Sequence, residues 1–223
     1  MEQFGDNIWT LEDEIRVAPG VYFPVRMTVI RLVDGSVVLH SPIKMSNEDA
    51  EKVRHLGPVR YIVAPNLFHH LYVLDALKFF PEAELYIADG LEKKRKDLKK
   101  YKYLSQFPKE WQEDIELVLY EGVPMLGEYV FFHKKSRTLI TADVVFNIES
   151  ARNWFTRIIL RVDGIYKQFS QGRLSEFMTR DRAARSASMK RIMNLEFDKV
   201  IMAHGSPVTQ DGKTLMRETC LPQ

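Results

Sequence analysis

Cysteine is almost missing from this chain: Cys220 is the only one in 223 residues. A single thiol excludes an internal disulfide framework and any zinc cluster built on cysteine. Long apolar runs are missing too, and no stretch approaches the roughly 20 residues of a membrane-spanning helix. The opening segment, "MEQFGDNIWTLEDE", is too acidic and polar for a secretory signal. No Gly-x-Ser-x-Gly elbow occurs, and the one cysteine lies close to the last residue, which disfavours a nucleophile-based enzyme. Nor does one sign of charge dominate. Thirty-two Lys and Arg against 30 Asp and Glu leave a formal net charge of +2, which selects no particular partner. These absences lead us to expect a cytoplasmic protein with no membrane segment and no membrane partner.

What is present suffices for one sizeable core, with 45% of residues hydrophobic. No repeat, low-complexity tract or composition shift marks a linker, so one domain over 1–223 is expected. "RMTVIRLVDGSVVLHSPI" (26–43) reads as two strands around an Asp34-Gly35 turn, a strong hairpin signal. "MSNEDAEKVRHLG" reads as a helix with Ser46 as N-cap, Asp49 three residues on, and Gly57-Pro58 as its stop. "VRYIVAP" predicts a strand, "LYVLDALKFFP" a helix ended by Pro81, and "AELYIAD" another strand. Alternation of this kind favours an α/β architecture. "DIELVLYEG", "EYVFFHKKSRTLITADVVF" and "FDKVIMAHG" add strands, with 134–137 as a polar turn, and a mostly helical insertion fills about 148–196.

Residues able to bind metal or move protons gather after three of these strands. Asn66, His69 and His70 follow "YIVAP"; Asp143 and Asn147 follow "TLITA"; His204 follows "KVIMA". Neutral imidazoles and a carboxylate are ordinary ligands for zinc, iron or manganese. In open α/β sheets the crevice beyond the strand ends is where ligands bind. A lone histidine at a strand end is more often an ordinary hydrogen-bonded residue, so it is the convergence of three strand ends that carries the signal.

In this order the elements resemble the metallo-β-lactamase superfamily, from about Val25 to Pro207. "VVLHSPI" resembles the early strand that normally ends in an Asp-Thr-Gly-like turn, with His40 in place of the aspartate. "YIVAPNLFHHLY" is similar to the strand and signature loop Thr-His-x-His-x-Asp-His. "LITADVVF" resembles the strand whose aspartate bridges two metals, and "VIMAHGSP" the final strand with the last histidine. The fold this implies is a four-layer αββα sandwich.

The departures matter as much. One register of residues 65–71 puts Asn66 and Phe68 on the first two histidines, His70 on the aspartate and Leu71 on the last histidine. The other puts Pro65 and Leu67 on the first two, and His69 and His70 on the Asp-His pair. Pro124 stands in the slot of the middle histidine. The resemblance therefore implies a reduced site holding a single divalent ion (zinc, iron or manganese), with His70, Asp143, His204 and His69 as candidate ligands. Asn66 would hydrogen-bond a water or a substrate carbonyl, and His40 would orient a ligand residue. The implied activity is metal-dependent hydrolysis of a small ester, thioester or lactone with an apolar portion. A metal-free binding protein on the same fold is the alternative, and a homo-oligomer is compatible with either.

Two further features are weighed. "EKKRKDLKKYKY" (92–103) is strongly basic with two tyrosines, but it reads as a solvated helix with Leu91, Leu98 and Leu104 turned inward, so nucleic acid is not the expected partner. "SARNWFTRIILRVDGIYKQF" (150–169) spaces its apolar residues three or four apart, as one broad helical face does. That face predicts core, subunit contact or a wall of the substrate pocket.

Overall fold

The computed structural model describes residues 1–221. Among the described residues, eleven strands form two sheets. The first sheet runs in chain order: β1 (Glu2–Gly5), β2 (Ile8–Ala18), β3 (Val21–Arg31), β4 (Val37–His40), β5 (Val59–Ala64), β6 (Glu84–Ile87) and β7 (Lys102–Tyr103). Its pairs are antiparallel from β1 to β4 and parallel from β4 to β7. The second sheet has the order β11-β10-β9-β8, from β8 (Ile115–Tyr120), β9 (Glu128–His133), β10 (Thr138–Thr141) and β11 (Lys199–Met202). Within it β10 and β11 are parallel.

Strand alternation builds the layers. On β4 and β5, Val37, Leu39, Ile62 and Ala64 face outward onto α1 (Asn47–Arg54) and α2 (Val73–Phe79), where Val53 and Val73 meet them. Val38, Tyr61 and Val63 face the other way and pack with Phe131, Ile140 and Ile201 of the second sheet. The far side of that sheet, with Leu139, Val200 and Met202, is covered by α6 (Arg182–Met193) and α7 (Gly212–Cys220) through Ile192 and Met216. The molecule is therefore the αββα sandwich, each sheet apolar on both faces because each is covered on both.

The predicted hairpin at Asp34-Gly35 and the helix capped by Ser46 are both present. Ser46 accepts from the Asp49 backbone N–H at 3.1 Å while the Asp49 carboxylate reaches back to the Ser46 N–H at 3.0 Å. The opening segment, to which the sequence reading assigned no element, is a long β2–β3 hairpin preceded by β1. Its acids sit on the outer, exposed half of β2. The basic run is no continuous helix: α3 (Leu91–Lys94) stops at Arg95, whose backbone leaves helical geometry. Leu91, Leu98 and Leu104 are nonetheless buried, as expected.

Between β10 and β11 lie α4 (Trp154–Asp163), α5 (Arg173–Met178) and α6. Of these, α6 completes the outer layer, whereas α4 and α5 stand at the sheet edge where β5, β10 and β11 end.

Candidate metal centre

The parallel pairs β4–β5 and β10–β11 end on the same side of the sandwich, so the loops that follow them meet. His69 Nε2 and His204 Nε2 lie 3.1 Å apart. Asp143 faces both, with Oδ2 3.2 Å from His69 Nε2 and Oδ1 3.1 Å from His204 Nε2. These three side chains form the one group of potential metal ligands among the described residues.

Each ring is held by its other nitrogen. His204 Nδ1 is 2.7 Å from the carbonyl of Pro24. A carbonyl only accepts, so Nδ1 carries the proton and the neutral ring presents a lone pair at Nε2. Phe146 stacks on the same imidazole and Phe23 meets it edge-on. His69 Nδ1 is 2.7 Å from the Ser41 hydroxyl. With Nε2 of His204 a lone pair, it faces a carboxylate oxygen across 3.1 Å. Two acceptors so placed repel unless a proton or a cation lies between them. Two imidazole nitrogens and a carboxylate are a donor set for zinc, and equally for iron or manganese, so the residues present fit a divalent ion. Although burial works to raise it, the charge of His69 and, where a proton rather than a cation fills the gap, hydrogen bonds from His204 and His69 hold the Asp143 carboxyl well below the usual range.

Behind Asp143 lies a second carboxylate. Glu128, at the head of β9, is fully buried. It accepts from the backbone N–H groups of Ala142 and Asp143, both at 2.7 Å, and from Asn66 Nδ2 at 2.9 Å. Burial, and then the neighbouring Asp143 charge, push its pKa up to about 7. Asn66 also donates to Asp143 Oδ2 at 2.8 Å, and its Oδ1 accepts from the N–H groups of Phe68 and His69. All of its side-chain polar groups are thus spent inside the protein, tying the β5 loop to the β10 loop. Asn147 ties the third: its N–H bonds the His204 carbonyl and its own carbonyl receives the Ser206 N–H. Gly205 is required there, since a Cβ would meet the Asn147 carbonyl oxygen at 2.0 Å.

The remaining sequence-expected residues stand apart from this cluster. His70 lines the same cavity but turns Nδ1 to Arg95, 2.9 Å from the guanidinium. Burial, Lys94 and Arg95 together push its pKa down to about 4. His40 points between the sheets against Phe131, because strand alternation puts it on the same side as Val38. It is the next residue, Ser41, held at φ 57°, that reaches the site. Ser41 and Glu128 are the contributors that sequence reasoning missed. A glutamate opening the apolar run "EYVFF" was the available signal for the second; for Ser41 there was none.

His69, Asp143 and His204 form the floor of a cavity of about 660 Å³. Its walls are mostly apolar, among them Phe23, Val25, Ile43, Leu126, Phe146 and Met178.

Residues 5–173 match the model of a protein family described as a domain of unknown function, DUF4336. The chain belongs to this family. Solved structures similar to this DUF4336 member are metallo-β-lactamases. One from Pontibacter korlensis superposes with a TM-score of 0.64 at 11% identity, over 99% of this chain and 98% of its own. Another, from Erythrobacter litoralis with β-mercaptoethanol in the active site, gives 0.66 at 10% identity, over 98% and 94%. FIM-1 from Pseudomonas aeruginosa, in its mono-zinc form, gives 0.59 at 12% identity, over 99% and 96%. Identities this low establish a shared fold. No curated protein matches the chain.

Proposed function

We propose that this DUF4336 protein is a metal-dependent hydrolase with a single divalent ion, acting on a small ester, thioester or lactone that carries an apolar portion. The observation that carries the reading is the convergence of two imidazole Nε2 atoms and one carboxylate, with both Nδ1 atoms engaged elsewhere. His69, Asp143 and His204 would hold the ion, whether zinc, iron or manganese. Bound there, it would polarise a carbonyl and lower the pKa of water towards neutrality. The mono-zinc form of FIM-1 is a structural relative in which one zinc is present.

The protein's own groups do the rest. Ser41 and the Pro24 carbonyl fix the rotation of the two imidazoles. Asn66 and Glu128 hold Asp143 against them, a positioning task in place of the substrate contact expected for Asn66. The apolar walls take the substrate's hydrocarbon part and exclude water around the carbonyl. His70, with one nitrogen committed to Arg95, contributes to the wall.

Elemental analysis of untagged protein tests this, beside an Asp143→Ala, His204→Ala variant. About one zinc, iron or manganese per chain, lost in the variant, is the expected result, followed by ester or lactone hydrolysis that chelation abolishes. Two ions per chain would overturn the single-metal reading. No ion after reconstitution with each metal would overturn the hydrolase altogether and leave a binding protein on this fold.

A further inference from the structure

The helix α4 is amphipathic in the wrong sense for a solvated surface. Its buried stripe is narrow, formed by Thr156 and Leu160. Trp154, Phe155, Ile158 and Val162 face solvent, Trp154 with 69% of its surface exposed. On α5 the pattern continues with Leu174 and Phe177, the latter 76% exposed. The two helices are joined through Asp163, which accepts from the Leu174 N–H at 2.7 Å, so the two exposed apolar sets lie on adjoining segments. Proteins that stay free in water rarely expose a contiguous patch of this kind.

We propose that the α4–α5 face is a peripheral docking surface for a bilayer containing anionic lipid. The charges beside the patch select that occupant. Arg157 and Arg161 flank the apolar arc of α4, Arg173 opens α5 and Arg16 lies across the cavity mouth, all exposed. None of the four joins an ion pair among the described residues. The acids on these helices are engaged within the protein: Asp163 with Leu174, and Glu176 with Arg182 and Arg185. A two-fold contact with a second copy would set the same unpaired arginines against one another. A negatively charged lipid surface pairs them while the aromatic and aliphatic side chains enter the acyl boundary. No helix of the described residues is long and apolar enough to cross a membrane, and a surface contact of this kind needs none.

The face is also continuous with the cavity. Leu174 is both exposed and part of the cavity wall, and Val17, Phe68 and Leu71 share that double position at the rim. A docked molecule would open its cavity toward the lipid, so an amphiphile could pass from bilayer to site without crossing water. Docking itself requires no metal and stands apart from the hydrolase reading.

Vesicle flotation with the full chain tests the proposal, comparing phosphatidylcholine alone with phosphatidylcholine mixed with phosphatidylglycerol, at low and high salt. The expected result is flotation with the anionic vesicles, weakened by salt and unaffected by chelator. Trp154→Ser with Phe177→Ser should abolish it, and neutralising Arg157 or Arg161 to Gln should weaken it about fivefold each. Unchanged far-ultraviolet circular dichroism would verify that the variants fold, as their exposure predicts. Failure to float with either vesicle would overturn the proposal. So would a light-scattering mass of two copies that falls to one in the Trp154→Ser, Phe177→Ser variant, which would assign the face to a second copy. Loss of hydrolysis or of metal leaves the flotation result untouched, so the two proposals fail separately.

Discussion

Glu128 organises more of the site than either histidine, although it touches no candidate substrate position. Its two oxygens satisfy the Ala142 and Asp143 N–H groups and one N–H of Asn66. Through Asn66 it reaches the backbone of His69 as well. Removing the carboxylate leaves two buried backbone donors without partners, at about 1–3 kcal/mol each. Glu128→Ala is therefore expected to lower the free energy of unfolding by about 3–5 kcal/mol, read from urea titrations. Glu128→Gln, which keeps one acceptor, should lose less. A loss in the alanine variant below about 1 kcal/mol would mean that the loops stand without it.

At the scale of elements, local signals decided where helices begin, and side-chain partners decided where one of them ends. The capping box of α1 satisfies two backbone donors reciprocally. Ser46→Ala is expected to cost about 1 kcal/mol of stability, while Asp49→Ala should cost a similar fraction by opening the same box. A urea midpoint unmoved in Ser46→Ala would show that tertiary packing alone sets the start of α1. The basic run shows the opposite case. Its helical propensity is high, yet α3 stops at Arg95, whose guanidinium bonds His70 on one side and Asp97 on the other. An ion pair and a contact with the β5 loop override propensity there.

For the whole molecule, the interior implies a pH dependence. His40 and His133 are both buried, and in each Nε2 has no hydrogen-bond partner. Burial lowers the pKa of His133 and pushes that of His40 down to about 3, the nearby His69 adding to the second. The unfolded chain therefore binds protons at these positions that the folded chain refuses. The sign follows: their contribution to stability is complete above the unfolded value near 6.5 and is lost as pH falls toward 3. For His40 alone the loss between pH 7 and pH 5 is about 2 kcal/mol. Urea unfolding of the wild type and a His40→Leu variant at both pH values should show the variant losing less by roughly that amount. Equal losses would sink this account.

The amino-acid sequence by itself determined an alternation of strands and helices. Short apolar strands, the Asp34-Gly35 turn, the Ser46 cap and the Pro81 stop are local patterns that give an α/β chain, and the αββα layering was implied by the resemblance of their order to the metallo-β-lactamase superfamily. The sequence also placed Asp143 and His204 at strand ends, because a polar residue directly after an apolar strand is visible without any partner. The candidate site as a constellation was not visible. Two registers of residues 65–71 were open, and only folding could turn His69 to the cluster and His70 to Arg95. A loop's side-chain directions depend on contacts distant in the chain, here Asn66 with Asp143 and Glu128. Strand parity sent His40 into the sandwich and a positive φ sent Ser41 to the site, a difference of one residue that composition does not encode. The apolar face of α4 is the plainest instance. Its periodicity was legible, but which side would be covered was decided by Thr156 and Leu160 meeting the body of the protein, leaving the larger apolar arc outside.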